Sequence, residues 1–105
     1  MRTLQQIVAE ITRDAPSARV LGGVRSYACV EIPGSGGAHA DIYLAPVVEN
    51  SVVVMRRDPG DKGSRITFQR GSGREEKMIA AVSNFLVLHE AVRDRRNEEE
   101  RRNRT

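Results

Sequence analysis

The sequence has one cysteine, no tryptophan and only two tyrosines and two phenylalanines in 105 residues. A single cysteine excludes an internal disulfide and a cysteine-based zinc site, and nothing in its use points to an oxidising compartment. With so few aromatic side chains, the core is expected to consist of aliphatic residues. These scarcities favour a cytoplasmic protein with an aliphatic core.

Long apolar runs are also lacking. The first ten residues, MRTLQQIVAE, do not contain the apolar segment of a signal peptide. The longest apolar helical stretch, Met78 to Leu88, is well short of the ~20 residues that a membrane span requires. We therefore expect no export by that route and no membrane partner. At this length the chain predicts one domain over residues 1–92, followed by a charged tail over residues 93–105, frayed or helical.

Helical periodicity appears at the start of the chain. Thr3 and Gln6 form a capping box, and the apolar residues that follow recur at the spacing of one helical face. Because a proline disfavours helix in the residue before it, Pro16 ends this segment. The pattern predicts a first helix from Leu4 to Arg13.

A second capping box, Ser72 with Glu75, predicts the start of a last helix that continues past Val92. Its apolar residues cover about half of the helix circumference, wider than the ~100° stripe that one core contact needs. The surplus predicts contact with the first helix or with a second copy of the chain. We expect Phe85, His89 and Val92 to belong to this self-association surface, so that the protein forms a homodimer.

Between the helices, short β-branched runs alternate with Gly, Pro, Asn and Asp, which is typical of an antiparallel meander. Strands are predicted at residues 19–21, 26–32, 39–47, 51–57 and 65–70. Gly22-Gly23 can mark a bulge or a bend, so the sheet is expected to have four or five strands. The predicted class is α+β, in the order α-β-β-β-β-α, with both helices on one face of the sheet.

Alternation along the strands assigns side chains to two faces. The helix-covered set is apolar and comprises Ala28, Val30, Ile32, Ala40, Ile42, Leu44, Ile66 and Phe68. The opposite set comprises Tyr27, Cys29, Glu31, His39, Asp41, Tyr43, Arg65, Thr67 and Gln69. In residues 51–55 both alternating sets are apolar, a pattern typical of a strand covered on both sides. Tyr27, Tyr43 and Met55 are the expected contacts with another protein.

Basic residues are concentrated between Met55 and Lys77. The candidate phosphate-binding set is Arg56, Arg57, Lys62, Arg65, Arg70 and Arg74. A basic edge attracts phosphate backbones through counterion release. However, charges on an edge strand also block pairing with other chains, and the stretch offers no stacking aromatic because Phe68 is assigned to the core. Nucleic acid is therefore the alternative partner.

Three other motifs favour ordinary structural roles. The glycine loop at residues 34–37 leads into a strand, whereas a phosphate loop opens a helix. The turn DPGDKG lacks the alternate ligands and the distal glutamate of a calcium loop. His39 and Asp41 project to one face beside Tyr43, but no nucleophile matches them, and His39 with His89 makes no metal set. We predict no catalytic residue, no metal and no cofactor.

The element order and the helix start GSGREEKMIAA loosely resemble the double-stranded-RNA-binding domain. In that family the second helix begins near a glycine-rich turn followed by paired lysines that grip phosphates. This chain has Glu75, Glu76 and Lys77 at the corresponding places, so only one of the expected cations is present. The resemblance covers the order of elements and about ten residues, and it is an analogy of fold order.

The sequence thus favours a small non-enzymatic binding module, regulator-like or inhibitor-like, that acts through protein–protein contacts and forms a homodimer. The alternative is a nucleic-acid-binding domain that uses the basic stretch 56–77.

Overall fold

The structure, a computed structural model, describes residues 2–24, 26–45, 51–57, 63–69 and 73–104. Its elements are α1 (Leu4–Thr12), β1 (Arg19–Val24), β2 (Tyr27–Glu31), β3 (His39–Ala45), β4 (Ser51–Arg57), β5 (Ser64–Gln69) and α2 (Gly73–Asn103). The predicted α+β class and the antiparallel meander between two helices are confirmed. The first predicted strand is present as β1. Ser72 of the second capping box, Lys62 and Arg70 lie outside the described residues.

The first helix follows from its capping box. The side-chain oxygen of Thr3 accepts a hydrogen bond from the Gln6 amide at 3.1 Å, and the Gln6 side chain accepts one from the Thr3 amide at 2.8 Å. These bonds satisfy two amide groups that an α-helix leaves without internal partners. Leu4, Ile7, Val8 and Ile11 form the buried face of α1, as their spacing predicts.

The strands form one sheet in the order β1-β2-β3-β4-β5, and each neighbouring pair is antiparallel. Ala28 of β2 lies opposite Ile42 of β3, which lies opposite Val54 of β4. These three side chains are buried, so this register aligns one apolar face across the sheet. The register shifts between Gly22 and Val24 in β1, which is the irregularity that the glycine pair predicts.

Both helices pack on this apolar face. The core is one cluster of buried residues: Leu4, Ile7, Val8, Ile11, Ala15, Ala28, Val30, Ile32, Ala38, Ala40, Ile42, Val54, Met78, Ile79, Val82, Phe85 and Leu86. Leu44 and Phe68 are partly buried and pack against it. The helix α1 contacts β2 and α2, while α2 also contacts β5. Within the described ranges, no helix combines the length and the apolarity that a membrane crossing needs.

Two polar contacts attach the middle of α2 to loops of the sheet. The Glu90 carboxylate accepts hydrogen bonds from the Ser17 hydroxyl and from the Ser17 amide, the latter at 2.9 Å. One turn later, the Arg93 guanidinium donates to the Pro33 carbonyl at 2.9 Å. These bonds fix α2 at the end of the sheet where β2 turns into β3.

Beyond Asp94 the helix continues to Asn103 without any apolar residue. Glu98 pairs with Arg102 at 3.0 Å, and Arg95 lies 3.7 Å from Glu99. Such i,i+4 pairs support an exposed helix by a few tenths of a kcal/mol each. The charged end of the chain is therefore helical.

Candidate functional site

The sheet face opposite the helices, called the open face below, has no described helix against it. Its described side chains are Arg19, Leu21, Tyr27, Cys29, Glu31, His39, Asp41, Tyr43, Met55, Arg57, Arg65 and Thr67. The strand register groups them, because Asp41 lies opposite Cys29 on one side and opposite Met55 on the other. The sequence assignment of Tyr27, Tyr43 and Met55 to one face agrees with this register.

Asp41 lies at the centre of this face and binds residues on its own strand and on β2. The Tyr27 hydroxyl donates a hydrogen bond to Asp41 Oδ1 at 2.9 Å, and His39 Nε2 lies 3.6 Å from Asp41 Oδ2. His39 Nδ1 lies 2.7 Å from the Gly37 carbonyl oxygen, which can only accept, so Nδ1 carries a proton. These contacts hold the His39 and Tyr27 rings in fixed orientations.

The two tyrosines form an aromatic pair on the same face. Their ring centroids lie 4.7 Å apart and the rings are inclined by 34°. Tyr43 is 36% exposed. Tyr27 is half-buried, and its hydroxyl donates to Asp41. The pair therefore presents a rigid aromatic surface with one polar tip, a combination that is enriched at interfaces.

The carboxylate of Asp41 also keeps its neighbours protonated. Donation to Asp41, reinforced by burial, raises the pKa of Tyr27 to about 12. Burial raises the pKa of the Cys29 thiol to about 11, and the hydrogen bond with Asp41 contributes in the same direction. Because a thiolate is the nucleophilic form of cysteine, this raised pKa makes Cys29 a weaker nucleophile at neutral pH than an ordinary exposed cysteine.

The structure brings together only part of the predicted phosphate-binding set. Arg57 and Arg65 are exposed on the open face, where they line a shallow hollow of about 300 Å³ with His39, Asp41 and Met55. Gly63 also lines it, with a φ of 86°, and an added Cβ there would come within 2.9 Å of a backbone oxygen. Glycine is therefore required where the chain enters β5.

The remaining described arginines of that set direct their side chains elsewhere, although Arg56 also borders the hollow. Arg56 precedes Arg57 on β4, so its side chain points to the helix-covered face, and its guanidinium lies 5.5 Å above the centroid of the Phe85 ring. Arg74 is exposed in the first turn of α2. Lys62 and Arg70 belong to the undescribed segments. The basic stretch is thus divided between two faces of the sheet and the start of a helix.

The start of α2 is tied to the N-terminal segment by opposite charges. Glu75 is buried, and its carboxylate lies 3.9 Å from the Arg2 guanidinium, which also pairs with Glu76 and with Glu10. Sequence reasoning missed Arg2, because its partners on α2 are more than seventy residues away. Where the RNA-binding resemblance would require cations, this helix start carries carboxylates engaged by Arg2.

The residues expected in self-association differ in burial. Phe85 is only 7% exposed and packs edge-to-face on the half-buried His89, with centroids 4.6 Å apart, so both face the core side of α2. Val92 is 45% exposed, and Leu88, which the sequence prediction did not include among the contact residues, is 59% exposed. The exposed large apolar residues of α2 are therefore Leu88, Val92 and, less exposed, Val87.

Among the described residues, no group of three or more His, Cys, Asp or Glu side chains could hold a metal ion. Comparison of the chain with protein-family models, with curated proteins and with solved structures finds no match. The geometry of the open face and of α2 therefore carries the functional argument.

Proposed function

We propose that this protein is a small non-enzymatic binding module that contacts another protein through its open face. The observation that carries the proposal is the distribution of its four aromatic residues. Phe85 and Phe68 pack in or against the core, while Tyr27 and Tyr43 form their pair on the sheet face without a described helix. Tyrosine is enriched among the residues that dominate binding energy at protein interfaces.

The charges around the tyrosine pair support a protein partner. Arg19 lies 2.6 Å from Glu31 on one side of the face, Asp41 lies in the middle, and Arg57 and Arg65 lie on the other side. A surface that carries both signs of charge beside an aromatic pair can complement a partner surface that is also of mixed sign, as protein surfaces are. A surface evolved for phosphate backbones would be more uniformly positive.

The chemistry of the same face supports a non-catalytic role. Cys29 is held as a neutral thiol and Tyr27 as a neutral phenol. The hollow beside His39 is shallow, whereas small-molecule sites are concave and bury most of the ligand. These features favour surface recognition over covalent catalysis.

A second candidate, single-stranded nucleic acid, is favoured by one specific observation. The register places Arg57 and Arg65 on the same face as Tyr27 and Tyr43, although these residues are far apart in the sequence. Sheet faces that combine stacking aromatics with basic residues bind unpaired bases and their phosphates. The carboxylates of Glu31 and Asp41 on this face weigh against this candidate.

Affinity capture from extracts of the native cell tests the first proposal. Immobilised wild-type protein is compared with Tyr43→Ser, on the open face, and with Val87→Ser, an apolar-to-serine control on the exposed side of α2. We expect one polypeptide to be retained by the wild type and the control and to bind Tyr43→Ser at least about tenfold more weakly, as for an interface hot spot. Equal retention of the polypeptide by the wild type and by Tyr43→Ser would contradict the proposal.

The same proteins, with an Arg57→Glu, Arg65→Glu double variant, are titrated with labelled single-stranded oligonucleotides at several salt concentrations. Nucleic acid would be the partner if oligonucleotide binding weakens steeply with salt and is lost in the double variant, and if affinity capture finds no polypeptide whose retention depends on Tyr43. Failure of both measurements would overturn both candidates.

A further inference from the structure

The hollow on the open face forms where a glycine takes the place of a larger residue. His39 lies opposite Arg57 in the pairing of β3 with β4, and Arg56 lies opposite Ser64 in the pairing of β4 with β5. Gly63 precedes Ser64 and therefore lies beside Arg57, where an added Cβ would come within 3.9 Å of the Arg57 Cα. The missing side chain leaves a hollow of about 300 Å³ at this end of the sheet.

Two exposed arginines border this hollow from neighbouring strands. Arg57 belongs to β4, and Arg65 lies on β5 opposite Met55. Among the ion pairs between residues that the structure describes, none includes Arg57 or Arg65. Both guanidinium groups can therefore bind a negatively charged group that the described residues do not supply.

The carboxylates on the same face are already engaged. Glu31 lies 2.6 Å from Arg19, on the other side of the face. Asp41 borders the hollow, but its Oδ1 accepts the hydrogen bond from Tyr27 and its Oδ2 lies 3.6 Å from His39 Nε2. The two exposed arginines outnumber this one engaged carboxylate. The hollow therefore has an excess of positive charge, which attracts anions.

A carboxylate side chain fits this chemistry better than a phosphate backbone does. The planar guanidinium group binds a carboxylate through two parallel hydrogen bonds. Met55, which neighbours both arginines in the register, offers an apolar contact to the methylene groups of an acidic side chain. A nucleic acid would carry its further phosphates past Glu31 and Asp41, which repel them. A single carboxylate avoids this repulsion.

The hollow and the tyrosine pair are close enough to contact one extended segment. On β3, Asp41 and His39 lie two and four residues from Tyr43, which corresponds to roughly 7–13 Å along a strand. Side chains two residues apart in an extended segment project to the same side. A partner segment that contacts the tyrosines would therefore present its side chain two or four residues away to the hollow.

We propose that the hollow binds the carboxylate of an acidic side chain on the protein partner, two or four residues from the partner residue that contacts the tyrosine pair. This inference rests on the proposed function, since it names the chemistry of the partner at the open face. The bound charge fixes the orientation of the partner segment on the sheet. Because an exposed ion pair stays partly hydrated, we expect a lone glutamate to bind with a Kd of roughly 10 mM.

A titration monitored by NMR tests the hollow without the partner. The full chain, with isotope-labelled arginine, receives N-acetyl-glutamate N-methylamide at constant ionic strength, and the glutamine analogue is the uncharged match. We expect saturable shifts of the Arg57 and Arg65 Nε–H signals with the glutamate compound only. The Arg57→Gln, Arg65→Gln double variant should bind at least about fivefold more weakly. Arg74→Gln, at an exposed arginine that does not line the hollow, should bind within about twofold of the wild type.

Dimethyl phosphate, a monoanion like the phosphate of a nucleic-acid backbone, distinguishes the two sources of negative charge. We expect it to bind more weakly than the glutamate compound. Absence of saturable shifts with the glutamate compound, or tighter binding of dimethyl phosphate, would overturn the inference. The undescribed segment 58–62 contains Asp58 and Asp61. Binding that appears only in an Asp58→Asn, Asp61→Asn variant would show that carboxylates of the chain itself occupy the hollow, and it would also overturn the inference.

Affinity capture separates this inference from the proposed function. The polypeptide whose retention depends on Tyr43 should bind the Arg57→Gln, Arg65→Gln variant at least about fivefold more weakly, and it should bind Arg74→Gln like the wild type. If its retention depends on Tyr43 but not on the two arginines, the proposed function stands and the inference is overturned. If no polypeptide depends on Tyr43, the proposed function fails, and the inference about its partner fails with it even where the titration shows a bound carboxylate.

Discussion

Asp41 determines the chemical state of the open face. It is the acceptor for Tyr27, the neighbour of His39 and the residue opposite both Cys29 and Met55. A carboxylate that accepts a hydrogen bond from a phenol stabilises the protonated phenol. The raised pKa of Tyr27 is therefore a direct readout of whether this cluster is formed.

The only tyrosine of a Tyr43→Phe variant is Tyr27, and we expect it to ionise at about pH 12. Adding Asp41→Ala removes the acceptor and should move that pKa back towards 10.0. The absorbance of tyrosinate during an alkaline titration measures both values. Ionisation near pH 10 in the folded Tyr43→Phe protein would contradict the hydrogen bond.

The same shift predicts a dependence of stability on pH. The folded-state pKa of Tyr27 is raised, so its contribution to the free energy of unfolding is present below pH 10 and is lost as the pH rises towards 12. The Tyr43→Phe protein should therefore lose stability more steeply in this window than its Asp41→Ala derivative. Urea unfolding at several pH values compares the two slopes.

The long helix α2 is held along part of its length only. Its first half packs on the core, and its middle is bound by Glu90 and Arg93 to loops at the end of the sheet. The residues from Arg95 to Asn103 are all exposed and none of them is apolar. Carboxylates at these places therefore differ in their importance for stability. A charge-assisted hydrogen bond to a half-buried amide contributes more than an exposed ion pair.

Two glutamate-to-alanine changes on this helix should separate these contributions. Glu90→Ala removes the acceptor of the Ser17 amide and hydroxyl, and we expect the free energy of unfolding to fall by about 1.5–3 kcal/mol. Glu98→Ala removes only the exposed pair with Arg102 and should cost about 0.5 kcal/mol or less. Urea denaturation of both variants makes the comparison, and equal losses would mean that Glu90 does not anchor the helix.

At the scale of the molecule, one core joins both helices to the inner face of the sheet. Ile7 of α1 and Leu86 of α2 are fully buried in the same cluster as Ile42 of β3. A cluster shared by all layers predicts that damage to any layer lowers the stability of the whole. The surfaces left outside it are the open face, which includes Leu21 on the edge strand β1, and the exposed side chains of Leu88 and Val92 on α2.

Alanine substitutions in the core and at the sheet edge test whether both helices and the sheet share one core. Ile7→Ala and Leu86→Ala should each lower the free energy of unfolding by about 2–5 kcal/mol, with one common transition seen by circular dichroism and by hydrogen exchange. Leu21→Ala, at a residue 42% exposed on β1, should cost less than about 1 kcal/mol. Loss of α1 alone in Ile7→Ala, with the sheet still protected, would show that the layers unfold separately.

The presence of the two helices, the meander and the inner apolar face were predictable from the sequence, because each depends on a local period. The end of α2 at Asn103 was not, because the charged residues after Val92 carry no apolar period. Thr3 with Gln6 marks the start of α1, and alternation from Ala28 to Ile32 marks the covered face. The assignment failed where the pattern is uniform. In residues 51–55 both alternating sets are apolar, so the pairing of β4 with β3 was needed to show that Arg57, and not Arg56, lies on the open face.

The sequence by itself determined which residues are apolar, which are basic and how they recur along each element. Only the tertiary structure decided that Tyr27 of β2 donates a hydrogen bond to Asp41 of the neighbouring strand β3 and that Arg2 pairs with Glu75. It also decided that Leu88 is exposed while Leu86 is buried. Periodicity acts over one or two turns of a helix or along one strand, so it defines faces. Which face meets which neighbour depends on strand register and on where α1 lies, and both are set by packing between residues far apart in the chain.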